Sequence, residues 1–102
     1  MINKPNKHVT INHRLGKIVL HSIGTNDCSL RVRLKASGEL EALGRAVGGA
    51  WDVSSVNAHP QFLHALKEHL LRSGNSEYWY VQRHNVDVVS KRFATLKPSI
   101  KV

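Results

Sequence analysis

Four scarcities set the limits of this 102-residue chain. Cys28 is its only cysteine. No internal disulfide or cysteine-rich zinc framework can form, and a reducing, cytoplasmic setting is expected. No apolar run approaches the roughly 20 residues that span a bilayer, so no membrane partner is expected. The basic start, MINKPNKHVTINHR, has no apolar segment of the signal-peptide kind behind it. Acids are few, seven Asp and Glu against fifteen Lys and Arg. Paired catalytic carboxylates are therefore a poor expectation. Aromatic residues make up only 6% of the chain, so where they cluster carries information.

What is present is globular. Apolar residues account for 41% and charged residues for 22%, the composition of one ordinary small domain. The net charge of +8 is segregated. Residues 1–35 carry a net +6, residues 36–77 a net −2 and residues 78–102 a net +4. Basic ends around a slightly acidic middle suggest one side that faces a polyanion.

The pattern predicts an α+β domain. Residues 1–14 read as a flexible basic arm, 15–97 as the folded domain and 98–102 as a basic tail. Lys17–Ile23 (KIVLHSI) and Cys28–Lys35 (CSLRVRLK), joined by a Gly/Asn/Asp turn, predict an N-terminal hairpin. Ser37 as a cap, with Leu40, Leu43 and Val47 on one stripe, predicts a helix ended by Gly48 and Gly49. Ala50–Val56 reads as a short strand with Trp51 and Val53 inward. Asn57 and Pro60 open a helix with Phe62, Leu63, Leu66 and Leu70 on one stripe, stopped at Gly74. Glu77–Arg83 (EYWYVQR) is aromatic and β-branched and reads as a strand. Val86, Val89, Phe93 and Leu96 share one narrow stripe, and Asn85 is the expected cap of that last helix. Together these give a mostly antiparallel sheet, the hairpin plus the aromatic strand, with two to three helices packed on one face.

In such a sheet Leu30, Val32, Leu34, Trp79 and Val81 point inward. Alternation then sends Arg31, Arg33 and Lys35, with Tyr78, Tyr80 and Gln82, to the opposite face. Cations neutralise phosphates and flat rings stack on unpaired bases. Lys4, Lys7, Arg14 and Lys17 of the arm add further phosphate contacts, and the tail adds Lys97 and Lys101. No helix has a uniformly basic face. Backbone-dominated binding of DNA or RNA, single strands preferred, is therefore expected over duplex sequence reading.

Chemistry is harder to find. Seven histidines are present, but His64 and His69 are five apart and diverge by about 140° on a helix. No zinc spacing results, and no metal or other cofactor is expected. GRAVGGAW lacks the Lys-Ser/Thr ending of a phosphate loop. The expected function is a non-enzymatic nucleic-acid-binding domain with no catalytic residues. One alternative is a protein-interaction module that binds or blocks a component of a nucleoprotein complex, since Tyr and Arg also serve as interface hot spots. The other is a metal-independent ribonuclease, with His21 and His84 as acid and base and Arg31 or Arg33 holding the phosphorane charge.

Overall fold

Antiparallel pairing starts with His8–His13 (β1) and Gly16–His21 (β2), joined by a two-residue turn at Arg14 and Leu15. The computed structural model describes residues 5–96. A second hairpin joins Cys28–Leu34 (β3) to Leu40–Arg45 (β4). Its turn closes through Lys35 N–H donating to Glu39 O at 2.8 Å, with Gly38 at a φ of 91°. A short strand, Trp51–Asp52 (β5), pairs with the end of β4 and runs into a single 3-10 turn at Val53–Ser55. Pro60–Ser73 (α1), Trp79–Gln82 (β6) and Arg83–Leu96 (α2) complete the chain. The six strands lie in the order β1-β2-β6-β3-β4-β5. All recorded pairings are antiparallel.

Three sequence expectations need correction. The stretch at 40–45 is a strand, not a helix. Leu, Glu and Ala favour a helix there, but that preference is a fraction of a kcal/mol per residue. Tertiary packing overrides it: Leu40 and Ala42 pack against the core, and β4 pairs with β3 over five residue pairs. Gly44 records the constraint, because a Cβ there would collide with the Ser55 carbonyl. The expected partners of the first hairpin are not paired. β6 lies between β2 and β3, so the chain forms β1-β2 and β3-β4 hairpins with the late strand inserted. Residues 8–13, expected within a flexible arm, are the edge strand of the sheet.

Both later helices form where expected, but their caps differ. α1 is capped by His59, whose Nδ1 accepts from Gln61 N–H at 3.1 Å, rather than by Asn57. It ends at Gly74, which takes the left-handed conformation at φ 66°. α2 begins directly after β6. Asn85, the expected cap, instead accepts a hydrogen bond from Val19 N–H at 3.2 Å and ties α2 to β2. Trp51 and Val53, both expected inward, are not: Trp51 lies opposite Arg45 outside the core cluster, and Val53 is 69% exposed. One core cluster contains Ile18 and Leu20 of β2, Leu30 and Val32 of β3, and Trp79 and Val81 of β6. Phe62, Leu66 and Leu70 of α1 and Val86, Val89 and Phe93 of α2 belong to the same cluster. Leu34 is half-buried at its margin. The tail at 98–102 lies outside the described residues.

Candidate nucleic-acid interface

Cross-strand register decides which side chains meet on the side of the sheet away from this core. Residues directly opposite each other share a face. Arg31 lies opposite Tyr80 on one side and Leu43 on the other. Tyr80 lies opposite His21, and His21 opposite His8. Arg33 faces Glu41, and Arg45 faces Trp51. Arg31, Arg33, Tyr80, His21 and His8 alternate with residues of the core or packed against it. They form one continuous surface of cations and rings.

The geometry within that surface is tight. The Arg31 guanidinium carbon sits 4.6 Å from the Tyr78 ring centre and 5.6 Å from that of Trp51. Arg33 lies 4.5 Å from the Tyr78 ring, and Arg45 lies 4.2 Å from the Trp51 ring. Trp51 and Tyr80 are 5.9 Å apart with planes inclined at 53°. Such cation–π contacts hold a guanidinium in place without neutralising it. A fixed guanidinium presents its remaining donors in a planar fork suited to phosphate.

The three arginines differ in what they have left to offer. Arg45 is fully employed: Nε donates to Cys28 O at 3.2 Å, Nη1 to Gly49 O at 2.9 Å and Nη2 to Thr25 O at 2.9 Å. It ties the 25–28 and 46–50 loops together and supports Trp51 from beside. Arg33 is 3.1 Å from Glu41, and Lys35 is 3.8 Å from Glu39. The row of Arg31, Arg33 and Lys35 is therefore not purely cationic. Reading 40–45 as a helix removed the two acids that β4 and its turn bring alongside. The Lys35–Glu39 pair is open to solvent, where an ion pair is worth about 0–1 kcal/mol, whereas the Arg33–Glu41 pair is half-buried, with Arg33 Nε and Glu41 Oε1 enclosed. A phosphate can compete for Lys35 at that level. Among the described residues no carboxylate lies within ion-pair distance of Arg31.

The other expected site residues divide. Tyr78 is 37% exposed and belongs to the surface. Tyr80 is half-buried, flanked by Trp51 and by Gly24, where a Cβ would lie 2.8 Å from the ring. Gln82 sits at the far end of β6 opposite Cys28 and lines a recess with Asp27, Arg83 and His84, away from the rings. Lys7 is exposed just before β1, Arg14 is exposed in the β1-β2 turn, and Lys17 is exposed opposite Asn12. Lys4, Lys97 and Lys101 lie outside the described residues.

Trp51 and Arg45 were not among the expected site residues. Trp51 stands on a two-residue strand, too short for alternation to reveal which way it points. Arg45 was hidden by the helix reading of its strand. The signal for both was the spacing of Gly38 and Gly44, which suits a hairpin better than a helix. Asp52, next to Trp51, is held below the usual carboxylate range, chiefly by the Ser54 hydroxyl that donates to it at 2.6 Å.

The histidines of the ribonuclease alternative are arranged unfavourably. His21 packs edge-on against His8 with ring centres 4.6 Å apart. Its Nδ1 lies 3.4 Å from the Asn6 amide nitrogen, and its Nε2 is enclosed without a partner. His84 lies in the first turn of α2. Among the described residues no three of His, Cys, Asp and Glu cluster in a way that would hold a metal ion.

Comparison of the chain with protein-family models, with curated proteins and with solved structures finds no match.

Proposed function

We propose that this protein is a non-enzymatic nucleic-acid-binding domain that takes a single strand across the sheet face carrying Arg31, Tyr78 and Trp51. Residues of both helices share the core cluster with Leu30 and Val32, and the opposite side of the sheet is the one proposed for the ligand. The observation that carries the reading is Arg31. It is a guanidinium with two aromatic rings within cation–π reach and no carboxylate beside it among the described residues. A cation fixed that way is fitted to a phosphate, and the rings beside it are fitted to splayed bases. Stacking is open to single strands and denied to paired bases, which gives the preference its physical reason. Lys35, at the margin, adds a phosphate contact by exchanging a surface carboxylate for a phosphate. Trp51 and Tyr78 are the stacking residues, with Tyr80 as support. The surface histidines take no catalytic part.

The two tryptophans provide the test. Trp51 lies on the ring-bearing face, whereas Trp79 is buried in the core. Titrating isotope-labelled protein with a short oligouridine or oligothymidine should move the Trp51 indole N–H resonance and leave that of Trp79 in place. An unmoved Trp51 resonance at saturating oligonucleotide would refute this site.

A protein-interaction module is the second reading. The Arg33–Glu41 and Lys35–Glu39 pairs favour it, since they halve the free positive charge of the same face. It predicts that nucleic acid leaves Trp51 undisturbed.

A further inference from the structure

The free edge of the sheet offers a second surface, independent of the ring-bearing face. β1 is the outermost strand, and its partner β2 satisfies only one of its sides. Lys7 O accepts from Ser22 N–H at 3.0 Å, so positions 7 and 22 form a hydrogen-bonded pair. In an antiparallel ladder such pairs recur at every second residue. With this register the pairs at Val9, Ile11 and His13 point their backbone groups at β2. The N–H and C=O groups of His8, Thr10 and Asn12 therefore point away from the sheet.

This edge lacks the usual protections. Sheet proteins guard edges with Lys, Glu, Pro, bulges or brevity. β1 reads HVTINH, with no charged acid or base among Lys, Arg, Asp and Glu and no proline. It is six residues long, and its register with β2 is unbroken. The opposite edge, β5, has two residues and ends in a 3-10 turn, so it offers no comparable template.

A recess runs beside the β1 edge. Ile11, Asn12 and His13 form one wall, and Gln61, His64, Glu68 and Arg72 of α1 form the other. Ala65 and Phe93 complete an apolar floor. Ile11 and Asn12 point to opposite faces of the sheet yet both line the recess, so it opens along the strand edge. Its volume of about 240 Å³ is below the roughly 300–1,000 Å³ of small-molecule sites. It suits side chains of a passing strand.

We infer that β1 and this recess take an extended segment of a partner protein, added as a further strand, with apolar side chains at alternate positions and carboxylates toward its ends. The charges select that occupant. Lys7 and Arg14 flank the uncharged strand, one at each end, and neither has an ion-pair partner among the described residues. The one acid on the recess, Glu68, is already approached by His64 at 3.7 Å and Arg72 at 3.9 Å. A second copy of this chain is disfavoured, because antiparallel pairing centred on Thr10 sets Lys7 of one copy opposite His13 and next to Arg14 of the other, so the basic ends meet. Main-chain bonds supply affinity in such strand addition, and the side-chain recess supplies selectivity.

The test uses two fluorescein-labelled peptides, Glu-Val-Thr-Val-Thr-Val-Glu and its Lys-ended counterpart, with blocked termini. The Glu-ended peptide should bind the full chain, and the Lys-ended peptide should bind about tenfold weaker or less. Binding should slow hydrogen exchange at the amides of His8, Thr10 and Asn12. Thr10→Pro removes an N–H that makes no bond to β2, so the sheet should survive while peptide binding falls about tenfold or more. An unchanged thermal melt of Thr10→Pro secures that comparison; if it melts early, the parent's hydrogen exchange decides, and amides of His8, Thr10 and Asn12 that peptide does not slow overturn the inference. No binding of the Glu-ended peptide at millimolar concentration overturns the inference. So does binding that Thr10→Pro leaves intact, binding that shifts the Trp51 indole instead, or a peptide-free dimer in sedimentation that Thr10→Pro abolishes.

Discussion

Replacing Leu66 by alanine tests how α1 is docked. Leu66 is completely buried in the middle of that helix, in the cluster that includes Leu30, Val32 and Phe62. The change removes three carbons. At roughly 0.8 kcal/mol per buried methylene the transfer loss is about 2.4 kcal/mol. The cavity left behind adds to this and brings the expected loss to about 2–5 kcal/mol. A domain of this size has a total stability of about 5–15 kcal/mol, so the effect is large and measurable. The comparison variant is Leu71→Ala. Leu71 is 44% exposed on the same helix. Its loss should stay within about 0.5 kcal/mol apart from a small propensity change. Urea melts followed by far-UV circular dichroism give both values, at a denaturant slope that both variants share with the parent. Equal losses at the two positions would mean that α1 is not packed along the Phe62–Leu66–Leu70 stripe.

Two further outcomes follow from particular contacts. Gly24→Ala sets a methyl group against the Tyr80 ring, where the Cβ would lie 2.8 Å away. The ring must turn, and near-UV circular dichroism together with Trp51 fluorescence should change, with little loss of far-UV signal; unchanged spectra would mean that Gly24 does not hold Tyr80. His69 is held below its ordinary pKa, first by burial and then by the charge of Arg72. The unfolded chain therefore binds this proton more readily than the folded one. Stability should be full above about pH 6.5 and should fall as the pH drops from there toward the lowered folded value. His69→Gln should flatten that part of the stability profile, and an unaltered slope in the variant would count against the assignment.

How much of this was legible in the sequence depends on the length of each element. α1 and α2 carry their apolar stripes over 14 residues each and could be read directly. The alternation at 30–34 and 79–82 predicted both the buried row and the cationic, aromatic row. Strand pairing was not legible. Nothing local says that Trp79–Gln82 enters between β2 and β3, because that neighbour relation is set by long-range packing. The 40–45 stretch misled because its residues favour helix while its surroundings demand a strand. That single error concealed Glu41, Arg45 and the true position of Trp51. A basic arm was expected where an edge strand lies, since HVTINH alternates over only two apolar residues, Val9 and Ile11, within a stretch whose charges are all basic. The proposed site was thus half visible: its cations and tyrosines could be read, but not the tryptophan and the acids beside them.

The central claim is that Arg31 and the rings beside it bind a single-stranded polyanion, and a salt series tests it most directly. Fluorescence anisotropy would follow labelled single-stranded DNA, single-stranded RNA and duplexes of each, from low to moderate salt, with the parent chain, Arg31→Ala and Trp51→Ala. The account predicts tighter binding to single strands. Each phosphate contact should contribute about −0.7 to the slope of log affinity against log salt, so Arg31→Ala should lessen the slope by about that amount. Trp51→Ala should weaken single-strand binding by roughly 1–3 kcal/mol at an unchanged slope, because stacking releases no counterions. Absence of binding to all four nucleic acids at low salt, or identical slopes for the parent and Arg31→Ala, would contradict it.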